Sequence, residues 1–293
     1  MSVGLYVNDV ERIENVKQTF QIDFVLLVRW KDLRLESSTR PLCIVKLDAI
    51  WHPDLLIVNE ELLAKDYPDE LEVEPDGTVF YVQRFTGTLS VPLDLRNFPF
   101  DRQVLSIKLL SERHSADELL FDVNKTYTDR SETFTIADWS IGSPTADVEV
   151  FYFAPLATDF SLYVYRLEAT RHPFYYFLKI VIPLTMIILI SWVVFWLNPS
   201  HLGTQLGLSA SIIVILGIFQ LSLLDLLPRV PYMTRMDHFL LVSQVLVFLA
   251  LLESVTSGVV AERNPALAQR LDWWSRCIFP TLFVVLLVFA FWV

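Results

Sequence analysis

Six residues recur along one hydrophobic stretch at spacings that place them on a single helical face. In segment 202–227, LGTQLGLSASIIVILGIFQLSLLDLL, they are Gly207, Ser211, Val214, Ile218, Leu221 and Asp225, at steps of 4, 3, 4, 3 and 4. Such steps return to one side of a helix. The stripe runs from small and hydroxyl-bearing groups, through aliphatic ones, to a carboxylate. A hydroxyl can replace part of an ion's hydration shell, aliphatic side chains can close a water column by dewetting, and acid side chains attract cations. The stripe therefore suits the wall of a shared water path rather than lipid. About five copies around an axis would enclose a greasy waist and an acidic mouth.

Such a face must be held upright in a bilayer. Roughly 20 helical residues cover the ~30 Å hydrocarbon core, and four segments qualify: 174–197, 202–227, 236–259 and 274–293. Pro183 lies inside the first and frees a backbone carbonyl, which a helical bundle tolerates. Lys179 is the only charge of that span, and Glu253 is the lone acid expected to be buried in the third. The connections are short, at 198–201, 228–235 and about 260–272. Arg263 and Arg270, with Arg276 close by, mark the last connection as the cytoplasmic side. Four spans then put the C-terminus on the same outer side as the N-terminal domain.

That domain differs in character from the spans. Residues 1–171 carry 17 Lys/Arg against 29 Asp/Glu, whereas 172–293 carry 6 against 5. Its acidity repels nucleic acid and concentrates cations. Period-two alternation over 5–13, 16–30, 42–50, 78–85, 103–110, 133–140, 146–153 and 160–170 predicts strands, and Pro75-Asp76-Gly77 predicts a turn. About eight to ten strands with little helical periodicity imply an antiparallel β-sandwich. Stretch 60–76 holds eight acids and one Lys65. It reads as a solvated loop, or alternatively as the cation-attracting lining of a central vestibule. Cys43 and Cys277 lie one in each half, so no disulfide framework is expected. MSVGLYVNDV has no signal-peptide pattern. Export then implies a removed signal with an added Met, the favoured reading, or another route. The chain has no G-x-S-x-G, H-E-x-x-H, Cys/His metal cluster or Gly-rich phosphate loop, which argues against an enzyme and against a cofactor or metal.

In chain order, further motifs accompany the four spans. They are Trp30-Lys31-Asp32-Leu33-Arg34-Leu35, Ala49-Ile50-Trp51-His52-Pro53-Asp54, Phe98-Pro99-Phe100-Asp101-Arg102-Gln103, Arg171, and Leu227-Pro228-Arg229-Val230-Pro231-Tyr232. Together they resemble the pentameric ligand-gated ion channel family in its prokaryotic branch, across essentially the whole chain. Val91 and Leu105 stand where animal members carry a cysteine pair, and no long domain separates the third and fourth spans. Both features match bacterial relatives.

The resemblance implies an immunoglobulin-like extracellular sandwich over 1–171, followed by an all-α four-helix membrane domain over 172–293, in a homopentameric ring. It places the protein in a bacterial inner membrane with the sandwich and the C-terminus periplasmic. The second span would line the pore, with Val214, Ile218 and Leu221 as its hydrophobic gate and Ser211 and Gly207 at the narrower cytoplasmic end. Asp225 would ring the outer mouth. Stretch 200–205 has neither an acid nor a basic residue beyond His201, so the Asp225 ring and the acidic domain favour monovalent cations. Asp101 and Arg171 match an acid–base pair that couples the domains, with Glu14 adjacent to the third partner's position at Asn15. Phe98, Pro99 and Pro228 belong to the same coupling loops. A small-molecule agonist would bind between sandwiches, against Phe151, Tyr152 and Phe153, with Asn59, Glu112, Arg113 and Tyr81 contributing. Protons are the rival stimulus, with His114, His172, His238, Glu14, Asp101 and Glu253 as titratable candidates. A non-conducting, membrane-tethered β-sandwich sensor is the alternative reading.

Overall fold

The computed structural model describes residues 1–37, 42–198, 201–224, 226–227 and 229–292. The chain forms two compact units, Met1–Asp94 with Arg102–Arg171, and Leu95–Asp101 with His172–Val293.

The first unit is built from strands. They are β1 (Ser2–Glu14), β2 (Thr19–Lys31), β3 (Cys43–Lys46), β4 (Leu55–Ile57), β5 (Glu60–Lys65) and β6 (Glu70–Val73). There follow β7 (Thr78–Ser90), β8 (Arg102–Ser111), β9 (Asp122–Val123), β10 (Asp129–Arg130), β11 (Trp139–Phe153) and β12 (Thr158–Arg171). One sheet runs β10-β1-β2-β7-β6-β3, with β5 also on β7 and β9 on β1; a second runs β11-β12-β8-β4. Most pairs are antiparallel, and the two short partners of β1 are parallel. Alternation explains the core: Val3, Leu5 and Val7 on β1, Leu26 and Val28 on β2, and Leu105, Ile107 and Leu109 on β8 are buried.

Local chemistry fixes the turns and the joins between strands. Gly77 adopts φ +81°, and a Cβ there would stand 2.5 Å from the Asp32 carbonyl oxygen. Asp32 N–H donates to the Gly77 carbonyl at 2.9 Å. The Asp32 carboxylate accepts from Arg34 N–H, Nε and Nη2 at 3.0, 2.8 and 2.7 Å, closing the 3-10 turn Leu33–Leu35. Within the first sheet, Asp23 accepts from Arg84 Nη2 at 2.6 Å, Arg84 Nε at 3.0 Å and Asn8 Nδ2 at 3.0 Å, tying β1, β2 and β7 together. The Arg84 hydrogen bonds hold the Asp23 carboxyl below the usual carboxylate range, against the opposing pull of burial.

Three elements differ from expectation. Acidic stretch 60–76 is not a loop: β5 and β6 form there, because Leu71 and Val73 alternate with acids and bury against the sheet. No strand forms over 133–138. Thr135 instead donates through N–H and Oγ1 to the Asp9 carboxylate at 2.8 and 2.6 Å, so side-chain bonds replace a ladder. Over 42–50 the strand stops at Lys46, and a 3-10 turn covers Leu47–Ala49.

Among its described residues, the second unit contains four helical segments long and apolar enough to cross a membrane: Phe174–Trp196, Leu202–Ser222, Arg235–Ala261 and Pro265–Phe291. In the first, a π-helical turn at Phe177–Val181 precedes Pro183 and absorbs the proline's missing N–H and its ring. The third starts at a capping box, in which Thr234 Oγ1 accepts from Asp237 N–H at 3.1 Å and Asp237 Oδ2 accepts from Thr234 N–H at 2.9 Å. The fourth starts at Pro265, so much of the connection expected at 260–272 is helix. Polar groups join the last two helices: Ser257 Oγ donates to Asp272 Oδ1 at 2.6 Å, and Ser275 Oγ donates to Glu253 Oε1 at 2.9 Å.

Candidate functional site: the second membrane helix and its supports

Helix Leu202–Ser222 has two opposite faces. Gln205, Ser209, Ile212 and Leu216 are buried, at i, i+4, i+7 and i+11. At about 100° per residue, the stripe Gly207, Ser211, Val214, Ile218, Leu221 points roughly 180° away from them. Those five residues are exposed, with Val214, Ile218 and Leu221 at 60, 63 and 68 %. Only 22 % of this helix's most apolar stretch is buried, against 28 to 39 % for the other three. An apolar helix left this bare within one chain must be covered by other chains, by lipid or by a dewetting-prone lumen. A Cβ added at Gly207 would meet nothing within 4 Å, and Ser211 Oγ donates to the Gly207 carbonyl at 2.9 Å. The hydroxyl oxygen's lone pairs therefore remain available on the exposed face. Asp225 and Pro228 lie outside the described residues.

Loop Leu95–Asp101 belongs to the helical unit although the chain enters and leaves it through β7 and β8. Leu95 N–H donates to Tyr232 Oη at 3.0 Å, and the Arg96 guanidinium lies 5.0 Å from the Tyr232 ring centroid. Arg235 N–H donates to the Arg96 carbonyl at 3.0 Å, and Arg235 Nε donates to Asn97 Oδ1 at 2.9 Å. Phe98 is fully buried, with its ring edge-on to Tyr176 at 4.7 Å. Phe100 meets Phe177 and Phe291 at 6.0 and 5.8 Å. Tyr232, between the second and third helices, and Arg235, the first residue of the third, thus grip this loop. Tyr232 stood in a quoted motif, but Arg235 carried no signal in the sequence. Asp101 is buried at 2 % exposure.

Arg171 ends β12, is 3 % exposed, and packs its guanidinium 4.1 Å from the Trp139 ring centroid. Its Nη2 donates to Asn15 Oδ1 at 2.8 Å. Glu14 pairs instead with Arg12 at 3.2 Å on the surface. The β1–β2 turn thus offers Arg171 an amide, a neutral acceptor that does not neutralise its charge.

The expected ligand residues separate into three groups. Phe151, Tyr152 and Phe153 lie near the tip of the edge strand β11, which pairs with β12. Strand packing would bury alternate members, yet all three are exposed, and the Phe151 and Phe153 rings stack at 6.3 Å. Glu112 and Tyr81 share a cavity of about 320 Å³ with His52, Asp54, Trp30 and Glu60. Arg113 reaches Asp54 at 3.7 Å, and Trp51 packs on His114 at 5.3 Å. Tyr81 Oη donates to Asp69 Oδ1 at 3.0 Å; burial, then the Asp69 charge, push the phenol well above its ordinary range. Asn59 is occupied elsewhere. Its Nδ2 donates to the Ser90 and Ser106 carbonyls at 2.9 and 2.8 Å, and its Oδ1 accepts from Lys108 N–H at 3.1 Å. It clamps β7, in one sheet, to β8, in the other. His52 and Asp54, flanking Pro53 in the Ala49–Asp54 motif, also line the cavity, although the sequence assigned them no ligand role.

The sequence model described as "Neurotransmitter-gated ion-channel ligand binding domain" matches residues 1–152. That described as "Neurotransmitter-gated ion-channel transmembrane region" matches residues 180–289. A relative from Gloeobacter violaceus, named "Proton-gated ion channel", is 30 % identical over 299 residues, covering 99 % of this chain and 83 % of its own.

Proposed function

The chain belongs to the bacterial branch of the pentameric ligand-gated ion channels, and from that premise we propose that five copies enclose a cation-conducting pore lined by helix Leu202–Ser222. The observation that carries the reading is the bare stripe of that helix, set opposite the face packed in its own bundle. Five such faces give a ring of hydroxyls at Ser211 and stacked aliphatic rings at Val214, Ile218 and Leu221. The aliphatic rings close the pore by dewetting, without complete steric block. Cation selectivity follows from field: the sequence places Asp225 next after Leu221 in the stripe, and residues 1–171 hold an excess of 12 acids over bases.

Gating begins in the β-rich unit. A small cation or amine settles against the exposed Phe151-Tyr152-Phe153 tip, where ring faces favour positive charge. Protons are a second stimulus, in keeping with the name of the Gloeobacter relative. Loop Leu95–Asp101 carries the movement, since its ends continue into β7 and β8 while its side chains pack among helical-unit residues.

Voltage-clamp current from cells expressing the chain tests this. The bath is stepped across pH, then challenged with a panel of amines, and reversal is read in asymmetric salt. A gated current reversing near the cation potential is expected. Reversal near the anion potential would reject the selectivity, and no current from Val214→Ala pentamers present at the surface would reject conduction itself.

A further inference from the structure

The sheet β11-β12-β8-β4 carries on one face a groove of about 430 Å³ over the buried side chains of Leu162 and Val164. Alternate residues of β8 line it, from Arg102 through Ser106 to Lys108. Arg166, opposite Ser106, lines it too, but its two Nη groups are spent on Asp147 and Glu149. Arg102 and Lys108 differ. Among the described residues, neither side chain has an ion pair or a hydrogen bond. The acids lining the groove are Asp94 and Glu149. Two cations thus stand unspent on a domain that holds an excess of 12 acids over bases.

A complementary surface lies beside β1, in the other sheet. Segment 131–138 is fixed there. Ser131 N–H donates to the Val7 carbonyl at 2.8 Å, and Thr135 is bound to the Asp9 carboxylate. The segment carries Glu132 and Asp138, both exposed and without a partner among the described residues. Arg130, two residues from Glu132, is engaged elsewhere. Its Nη1 donates to the Ser131 carbonyl at 2.8 Å, and its guanidinium lies 5.6 Å from the Phe134 ring centroid. The spacing of the charges matches as well. Trp139 pairs with Arg171 and Arg102 with Thr170, so Asp138 and Arg102 both lie toward the Arg171 end of β12. Lys108 stands six residues from Arg102, and Glu132 stands six residues from Asp138.

A ring of identical subunits needs two different surfaces that meet head to tail. A basic groove on one sheet and an acidic segment on the other supply such a pair. A free anion is a poorer occupant, because the net charge of the domain repels it. We propose that segment 131–138 of one copy docks in the β8 groove of the next, with the partner's Glu132 on Lys108 and the partner's Asp138 on Arg102. The groove is then completed by a second copy of this chain. The contact rests on the five-copy ring proposed above, and it lies in the β-rich unit, apart from the conduction stripe.

The test is the oligomer distribution of the full-length protein in detergent, read by native mass spectrometry, with the charge reversed on either side. Lys108→Glu and Glu132→Lys should each lower the pentamer-to-monomer ratio about tenfold, because five exposed contacts of modest strength change together. The double variant should recover most of that loss, and high salt should shrink every effect. Lys46→Glu, an exposed lysine off the groove, should leave the ratio in place. Placement between copies is read separately. Lys108→Cys and Glu132→Cys, coexpressed on different chains, should be joined into two-copy bands by a short bis-maleimide, and neither should when expressed alone. A wild type that forms no ring would overturn the ring together with this contact. A ring in which both reversals are silent, in which the double variant is no better than either single, or in which the coexpressed cysteines fail to join copies would overturn this contact alone.

Discussion

Leu221→Ala probes the hydrophobic closure most directly. Leu221 is 68 % exposed within its own chain, so about two thirds of its side chain is available for burial by other copies. The substitution removes three carbons, about 2.4 kcal/mol of transfer free energy at ~0.8 kcal/mol per CH₂ for full burial. Scaled to the exposed part this is about 1.6 kcal/mol per subunit, or a ceiling of about 8 kcal/mol for five. Opening removes only part of that burial. If a fifth is released, the closed state loses about 1.6 kcal/mol relative to the open one, a shift of roughly tenfold. The assay is macroscopic current against stimulus concentration, with unstimulated current as a second readout. Leu221→Ala should move half-activation about tenfold to weaker stimulus and raise the resting current. Folding should suffer little, because only the remaining third of the side chain packs within the chain. The control is Ile212→Val, on the buried face, which should lower thermal stability by about 1 kcal/mol and leave half-activation in place. An unmoved activation curve for Leu221→Ala at normal surface expression, or a larger shift for Ile212→Val, would refute the assignment of the two faces.

Other outcomes follow from the β-rich unit. Asn59→Ala leaves two carbonyls and one N–H without their amide partner, so it should cost about 2–4 kcal/mol and lower Tm in detergent. A Tm unchanged within error would mean water replaces all three bonds. Tyr152→Ala, at an exposed strand position, should weaken amine activation without moving Tm; equal amine sensitivity would remove the β11 tip from the ligand site. Asp23, Asp32 and Asp76 all titrate below the ordinary carboxylate value of 3.8 in the folded protein, held by Arg84, Arg34 and Thr78 respectively. Folded values below the unfolded ones mean that their stabilisation is complete above the unfolded pKa and is lost as pH falls through the folded values. Tm should therefore be insensitive to these groups above about pH 5 and fall below about pH 4, with a shallower fall in Asp23→Asn. A Tm that falls equally in Asp23→Asn would assign the acid loss to other groups.

What was legible in the sequence is what short-range periodicity encodes. Steps of three and four separated the bare face of the second helix from Gln205, Ser209, Ile212 and Leu216, because lipid and a bundle core leave different residue types at different angles. Period two found β1, β2, β7, β8 and β12 for the same reason. Failures came where periodicity and composition conflicted. Eight acids in 60–76 outweighed the alternation of Leu71 and Val73, although a strand with one wet face accommodates acids on that face. Thr135 lay in an alternating run, but Asp9, 126 residues away, captures its N–H and hydroxyl and displaces the ladder.

Side-chain roles were less legible than positions, since they depend on partners distant in sequence. Asn59 illustrates this. Its place between strands made it look like a loop residue facing ligand, and nothing local says otherwise. Its partners are Ser90, Ser106 and Lys108, reached across the gap between two sheets. An amide that spends both hydrogens and its oxygen on backbone groups has nothing left for a ligand except through rearrangement. Arg171 shows the converse. Beyond the pairing with Asp101, the sequence offered Glu14 or Asn15 as the third partner, and a buried cation favours a carboxylate. Glu14 instead stays at the surface with Arg12, and Arg171 rests between an amide oxygen and the Trp139 ring. Neither of those partners carries a charge. Asn15 is thus the acceptor that the β1–β2 turn offers to the buried Arg171 guanidinium. Asn15→Asp would place a carboxylate at that acceptor position. It should bind Arg171 more tightly and damp the response to stimulus, and a Tm rise without any change in activation would show that Arg171 serves only to hold the turn.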